Sequence, residues 1–133
     1  MKILSCLTDI KEIEPLKNVG ADEIYFGLNH KYIPNYANSG NIKTFDEAKS
    51  IINESHKIGL KVYLAANDLN FGAKYNEVLE NIKRIIDLGI DGIIVTDLFL
   101  LKELQRYNTS LHISSVASVF NTEHLKFLSK NFN

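Results

Sequence analysis

The sequence predicts an α/β fold, about five β-strand/α-helix units in series that form part of a parallel (β/α) barrel. Three observations predict it. One glycine-punctuated pattern recurs three times, each copy following a stretch of helical periodicity and leading into a β-rich run. Apolar stripes at helical spacing separate the β-rich runs, which supplies the crossovers that parallel strands require. Several of those runs are apolar on both faces, as strands of a parallel sheet are when it is covered on both sides.

The repeat comprises Val19-Gly20-Ala21-Asp22-Glu23-Ile24-Tyr25-Phe26, Ile58-Gly59-Leu60-Lys61-Val62-Tyr63-Leu64 and Leu88-Gly89-Ile90-Asp91-Gly92-Ile93-Ile94-Val95. Each reads apolar–Gly–apolar–polar before its strand. A helix that ends in the left-handed conformation favours glycine there, and the flanking apolar residues pack the corner.

The elements follow in order. The first strand is expected over residues Lys2 to Leu7, with Cys6 as a small buried core residue. The second spans Asp22 to Leu28. A helix from Thr44 to Lys57 carries Phe45, Ala48, Ile51, Ile52 and Ser55 on one stripe, with Thr44 as N-cap and Glu47 completing a capping box. The third strand is Lys61 to Ala66. The helix Tyr75 to Asp87 packs Val78, Leu79, Ile82, Ile85 and Ile86, with Glu77, Glu80, Lys83 and Arg84 on its wet face. Strands four and five are expected over Gly92 to Thr96 and Leu111 to Ser115, and a last helix starts at Asn121.

A doubly wound nucleotide-binding sheet would carry a glycine-rich turn after its first strand. Thr8-Asp9-Ile10-Lys11 stands there instead, with neither G-x-G-x-x-G nor a P-loop, which favours the barrel. Eight strands close such a barrel in about 250 residues. Residues 1–133 are therefore expected to be one domain, the N-terminal portion of a longer barrel, whose open sheet edges invite a second copy or a partner.

Composition narrows the function. Fifteen basic against sixteen acidic residues leave a net charge of −1, with no basic excess for non-specific nucleic-acid or anionic-membrane binding. A local basic groove is compatible with that total. The single cysteine makes neither an intramolecular disulfide nor the thiolate set of a usual iron–sulfur or zinc site. No apolar run approaches the roughly 18 residues of a membrane helix, and no signal peptide is visible, so a soluble cytoplasmic protein is expected.

Parallel α/β sheets place their sites at the C-terminal ends of the strands. The polar residues there are Thr8 and Asp9; Asn29, His30 and Lys31; Asn67, Asp68 and Asn70; Thr96 and Asp97; and Ser114, Ser115 and Ser118. The long loop from Asn29 to Lys43, with Tyr32 and Tyr36, adds binding surface. Each candidate has a structural alternative. Asp97 and Asp9 suit helix N-caps, Asn67 and Asp68 suit a turn, and His112 within a strand suits a hydrogen-bonded structural role. His56 and His124 read as helix-surface residues. No G-x-S-x-G surrounds the serines and no H-E-x-x-H occurs.

The order of these segments resembles the peptidase U32 family. Gly20-Ala21-Asp22-Glu23-Ile24-Tyr25-Phe26-Gly27 is similar to its G-A-D-x-[IV]-Y-[FL]-G, and Gly59-Leu60-Lys61-Val62-Tyr63-Leu64-Ala65-Ala66-Asn67 to its G-[VI]-K-V-Y-[VL]-x-x-N. Leu88 to Leu98 resembles the family's L-G-[VA]-D-[AG]-[IV]-I-[VA]-x-D-[LP], and Leu111-His112-Ile113-Ser114-Ser115 its H-[AI]-S-[TS] strand. Val116 and Ser118 stand where that family often has glutamine and asparagine, and its loop arginine and cysteine-rich signature have no counterpart in this sequence. The resemblance implies a TIM-like barrel and a hydrolase, a collagenase-like peptidase. The same family implies two alternatives, part of an iron–sulfur-dependent hydroxylase of RNA bases or of a quinone precursor. A third reading is a non-catalytic half-barrel that self-associates or binds a partner. Peptide and RNA substrates both stay open. Asn67, Asp97, His112 and Ser115 are the expected substrate-binding residues, with no metal ligand, and any iron–sulfur cluster belongs to a fuller relative.

Overall fold

Gly20, Gly59 and Gly89 have φ of 98°, 72° and 91°, the left-handed region that costs a side-chain-bearing residue about 1–2 kcal/mol. After Gly59 the chain reverses with Leu60 N–H donating to the Ser55 carbonyl and Gly59 N–H to that of His56, the hydrogen-bond pattern of a Schellman corner. Each corner then delivers the chain into a strand. The structure, a computed structural model, describes residues 1–36, 40–69 and 72–132. Asn70, one of the polar residues expected after the third strand, lies outside them.

The elements are β1 (Leu4–Cys6), α1 (Ile13–Asn18), β2 (Glu23–Gly27), α2 (Phe45–Lys57), β3 (Lys61–Ala66), α3 (Tyr75–Asp87), β4 (Gly92–Val95), α4 (Leu98–Leu104), β5 (Ser110–Ile113) and α5 (Thr122–Asn131). All five strands are parallel, in the order β1-β2-β3-β4-β5. Right-handed crossovers that step one strand at a time in one direction put the helices on one side of the sheet. That is the arrangement of a partial barrel, whereas a doubly wound sheet would reverse its order. β1 is shorter than the expected Lys2–Leu7, and β5 starts one residue earlier and ends at Ile113, two residues before the expected Ser115.

Alternation divides the strands between two environments. Ile24, Phe26, Leu28, Val62, Leu64, Ala66, Ile93 and Val95 are buried beneath the helices, with Ile51, Ile52, Ile82 and Ile85 among the packing residues. The intervening residues face the concave side. They include Glu23 and Tyr25 on β2, Tyr63 and Ala65 on β3, Ile94 on β4 and His112 on β5. Cys6 shares this face, and it is exposed rather than buried in the core as expected. Its place in the alternation explains the error, since Leu7 next to it points under the helices and is 1% exposed.

The caps follow the sequence with one change. Thr44 Oγ1 accepts from Glu47 N–H at 3.2 Å, but the Glu47 carboxylate accepts from Lys43 N–H at 2.9 Å, one residue before the position a capping box uses. The reciprocal box forms instead at Asp9 and Glu12. Asp97 caps α4 through Leu100 N–H at 2.7 Å, and Asn121 caps α5 through His124 N–H at 2.8 Å.

Candidate functional site

Two adjoining cavities occupy the concave face. The first, of about 320 Å³, is lined by Glu23, Tyr25, Tyr63, Asn67, His112 and Ser115 among others. The second, of about 310 Å³, reaches the C-terminal strand ends beside Cys6, Thr8, Gly27, Asn35, Asn41 and Val116. Tyr25, Ala65 and Asn67 border both. Asn67, His112 and Ser115 are thus brought to one cavity. Asp97 lines neither; its carboxylate holds the first turn of α4.

Register explains the aromatic floor. Tyr63 pairs with Gly92, which pairs with Ser110, so the Tyr63 ring lies over a position without a side chain. Its edge meets His112 at a centroid separation of 4.7 Å and an interplanar angle of 82°. His112 Nε2 lies 3.1 Å from Ser110 Oγ, and no carboxylate among the described residues hydrogen-bonds the imidazole.

Charge concentrates at the lower end of the cavity. Glu23, 9% exposed, accepts from Lys2 Nζ at 2.9 Å. Burial pushes the Tyr63 hydroxyl above its ordinary range, and the neighbouring Glu23 carboxylate adds to the shift. Burial does the same to Tyr25, with the Cys6 thiol beside it contributing. Both phenols are therefore neutral donors at physiological pH.

Asn67 is held from two directions. Its Oδ1 accepts from Tyr36 N–H at 3.1 Å, and its backbone carbonyl from Thr96 Oγ1 at 3.2 Å. That anchors the amide at the mouth of the cavity, with Nδ2 free of hydrogen bonds among the described residues. Ser114 is buried and caps the turn Ser115–Ala117, which presents Ser115. Asn29 Oδ1 accepts from Lys31 N–H at 3.1 Å, an Asx turn. His56 Nε2 meets Asp91 Oδ2 at 2.8 Å on the opposite, N-terminal side of the sheet.

Sequence reasoning missed Glu23, Tyr25, Tyr63, Asn35 and Asn41. A signal for the first two existed, because Glu23 and Tyr25 alternate with Ile24 and Phe26 at the period of a strand. For Asn35 and Asn41 no local pattern marks the approach to Gly27.

An iron–sulfur cluster does not fit these residues. Cys6 supplies one thiol, and no group of three or more His, Cys, Asp or Glu converges among the described residues. The cavities present phenols, amides, one imidazole, the Glu23 carboxylate and the Cys6 thiol. No helix among the described residues is long and apolar enough to cross a membrane.

Comparison with known proteins adds the following. The family described as Peptidase family U32 matches residues 8–133. The chain is 27% identical over 124 residues to tRNA hydroxylation protein P of Helicobacter pylori strain J99, covering 92% of this chain and 29% of that protein. It is 26% identical over 128 residues to tRNA hydroxylation protein P of Escherichia coli strain K12, covering 95% of this chain and 28% of that protein. Among solved structures it matches the U32 peptidase Mk0906 with a TM-score of 0.76 at 18% identity, over 99% of this chain and 56% of that one. At that identity the likeness is one of fold. The chain spans less than a third of the length of the curated relatives it matches.

Proposed function

The chain belongs to peptidase family U32, and from that premise we propose that it contributes the substrate-binding barrel of a tRNA-hydroxylating protein. The observation that carries the reading is the concave cavity itself, floored by Tyr25 and Tyr63 and rimmed by the Asn67 amide. A flat polar ring suits such a floor. Unstacked bases are held on aromatic side chains and read by hydrogen bonds along their edges, at about 1–3 kcal/mol per stacked base. The curated relatives point the same way, since they are named for tRNA hydroxylation.

Hydroxylating a base requires an oxygen source and an electron acceptor, and the side chains of this cavity supply neither. On this reading they bind and orient. Asn67 Nδ2 donates to the base edge, Tyr25 and Tyr63, side by side across β2 and β3, form the surface on which it stacks, and His112 with Ser115 borders the ribose side. The reading places the protein in the cytoplasm with its tRNA.

Nucleoside mass spectrometry of bulk tRNA tests it. Deleting the gene is expected to remove a hydroxylated nucleoside, and the wild-type gene to restore it. Asn67→Ala should restore it poorly. Unchanged nucleosides after deletion would sink the function, and full restoration by an Asn67→Ala/His112→Ala double variant would sink the site.

One contact supports a hydrolytic second reading, the Ser110 Oγ to His112 Nε2 distance of 3.1 Å, within reach of a nucleophile–base pair. It lacks an orienting acid, and Ser110 begins its strand instead of ending it. Peptide hydrolysis that disappears in Ser110→Ala would establish that reading over the first.

A further inference from the structure

Two lysines at the C-terminal rim have no carboxylate to neutralise them. Lys2, Lys57 and Lys126 each pair with a glutamate at 2.9 Å or less. Lys31, in the loop after β2, and Lys74, just before α3, are exposed and form no ion pair among the described residues. Together with His30, Pro34, Glu77 and Val78 they line a cavity of about 180 Å³. It shares no residue with the two concave cavities and lies where the β2 loop meets the first turns of α3.

The loop holds its donors in place. Lys31 Nζ sits 4.6 Å from the centre of the Tyr32 ring, a contact that steadies the side chain and leaves its charge uncompensated. Lys31 N–H is bound by Asn29 Oδ1, which fixes the turn that carries it. Asn35 N–H donates to His30 Nδ1 at 3.5 Å, so Nε2 is the N–H donor of the neutral ring. Lys74 adds a second ammonium from the opposite wall. No side chain caps α3, and the positive end of a helix favours an anion beside it. One carboxylate, Glu77, stands against these groups. The volume falls below the roughly 300 Å³ at which ligand pockets begin, so the space suits one small group instead of a whole nucleotide.

We propose that this cavity binds a phosphate group, held by the Lys31 and Lys74 ammonium groups and by His30 Nε2–H. Lysine serves phosphate as a point charge and needs no bidentate geometry. The source of the phosphate rests on the tRNA reading: it is a backbone phosphate of the RNA whose base enters the concave cavity. The loop supports that link. Past Pro34 it continues into Asn35 and Tyr36, which border the second concave cavity, and Tyr36 N–H bonds Asn67 Oδ1. One loop thus serves the cationic pocket and the mouth of the cavity. Phosphate contacts set register and carry no sequence information, which suits a single seat on a chain of net charge −1.

Inorganic phosphate titrated into the 133-residue chain at constant ionic strength, followed by NMR, tests the site. Phosphate should shift the backbone amides of His30, Lys31 and Lys74 and the His30 ring signals, and chloride should not. Lys31→Gln/Lys74→Gln should abolish these shifts. Glu77→Gln, which removes the opposing charge, should tighten phosphate several-fold. All three positions are exposed, so the variants keep the fold. Bulk tRNA then tests the source. The slope of log affinity against log salt should fall by about 0.7–0.9 in the double variant, the counterions of one phosphate. Lys57→Gln, at the far end of α2, should leave that slope as it is. Phosphate shifts with an unchanged slope, or with no tRNA binding, would assign the site to a small phosphorylated molecule and overturn the RNA seat. No shift with phosphate, or an equal shift with chloride, would overturn the site itself. Phosphate binding is read without hydroxylation, so unchanged tRNA nucleosides after gene deletion sink the tRNA reading and leave the pocket standing.

Discussion

Gly92 has no room for a side chain. A Cβ there would stand 2.7 Å from two atoms of the Tyr63 ring and 2.8 Å from the Ser110 carbonyl oxygen. Backbone cannot yield as a flexible side chain can, so Gly92→Ala should cost about 1–3 kcal/mol. A lowered melting temperature, with altered Tyr63 and His112 ring signals, would register it. The phenols at this level predict a pH dependence. Tyr63 and Tyr25 have folded-state values raised by burial, so their contribution is fully present below the ordinary tyrosine range. It is lost as pH rises through the higher folded values. Alkaline unfolding should therefore accompany the appearance of tyrosinate absorbance, and Tyr63→Phe should soften the alkaline loss. Glu12 acts at the other end of the scale. The Thr8 backbone N–H bonds its carboxylate at 2.7 Å and holds it below the usual glutamate range. Its contribution is present above that range and is lost as pH falls through the lower folded value, so Glu12→Gln should flatten part of the acid limb.

At the scale of an element, the Gly-x-Asp corner does more than turn the chain. Asp22 Oδ2 accepts from Ile3 N–H at 2.8 Å, and Asp91 Oδ2 accepts from Val62 N–H at 2.8 Å. In both, the aspartate at the end of a corner reaches back to the strand just before it in the sheet and closes a ladder position. Asp91 also meets His56 from the last turn of α2, so one carboxylate joins α2, β3 and the approach to β4. The middle corner has Lys61 at this position and no such tie. Asp91→Ala leaves the Val62 N–H without its acceptor and should cost about 1–3 kcal/mol in urea unfolding. Asp22→Ala should cost less, because its bond is exposed to water. Sequence showed these corners and their glycines plainly, since helix ends are local. It left the aspartates as merely polar positions, because their partners sit 19 and 29 residues away.

Over the whole molecule, β1 and β5 each pair on one side alone. Ile113, Phe120, Leu125 and Phe127 are exposed on β5, on α5 and between them. An unpaired edge beside exposed apolar side chains favours association. Light scattering is expected to show a concentration-dependent rise in mass, and Leu125→Lys/Phe127→Lys to suppress it. A monodisperse monomer at high concentration would contradict this.

By itself the sequence determined the five units and their parallel sense. Those follow from helical periodicity, corner glycines and N-caps, all carried by residues within a few positions of one another. Which face of each strand meets the cavity was decided by the tertiary structure. Cys6 shows why: a short strand of small and apolar residues carries no contrast between faces, so alternation had no phase until neighbouring strands set it. Asp97 makes the same point from the other side, since a strand-end aspartate suits a cap and a pocket equally until the cavity is seen to lie elsewhere. The approach of Asn35 and Asn41 to Gly27 is the extreme case. Asn35 and Asn41 meet there through the folding of the long loop over β2, and no pattern within either segment encodes that meeting.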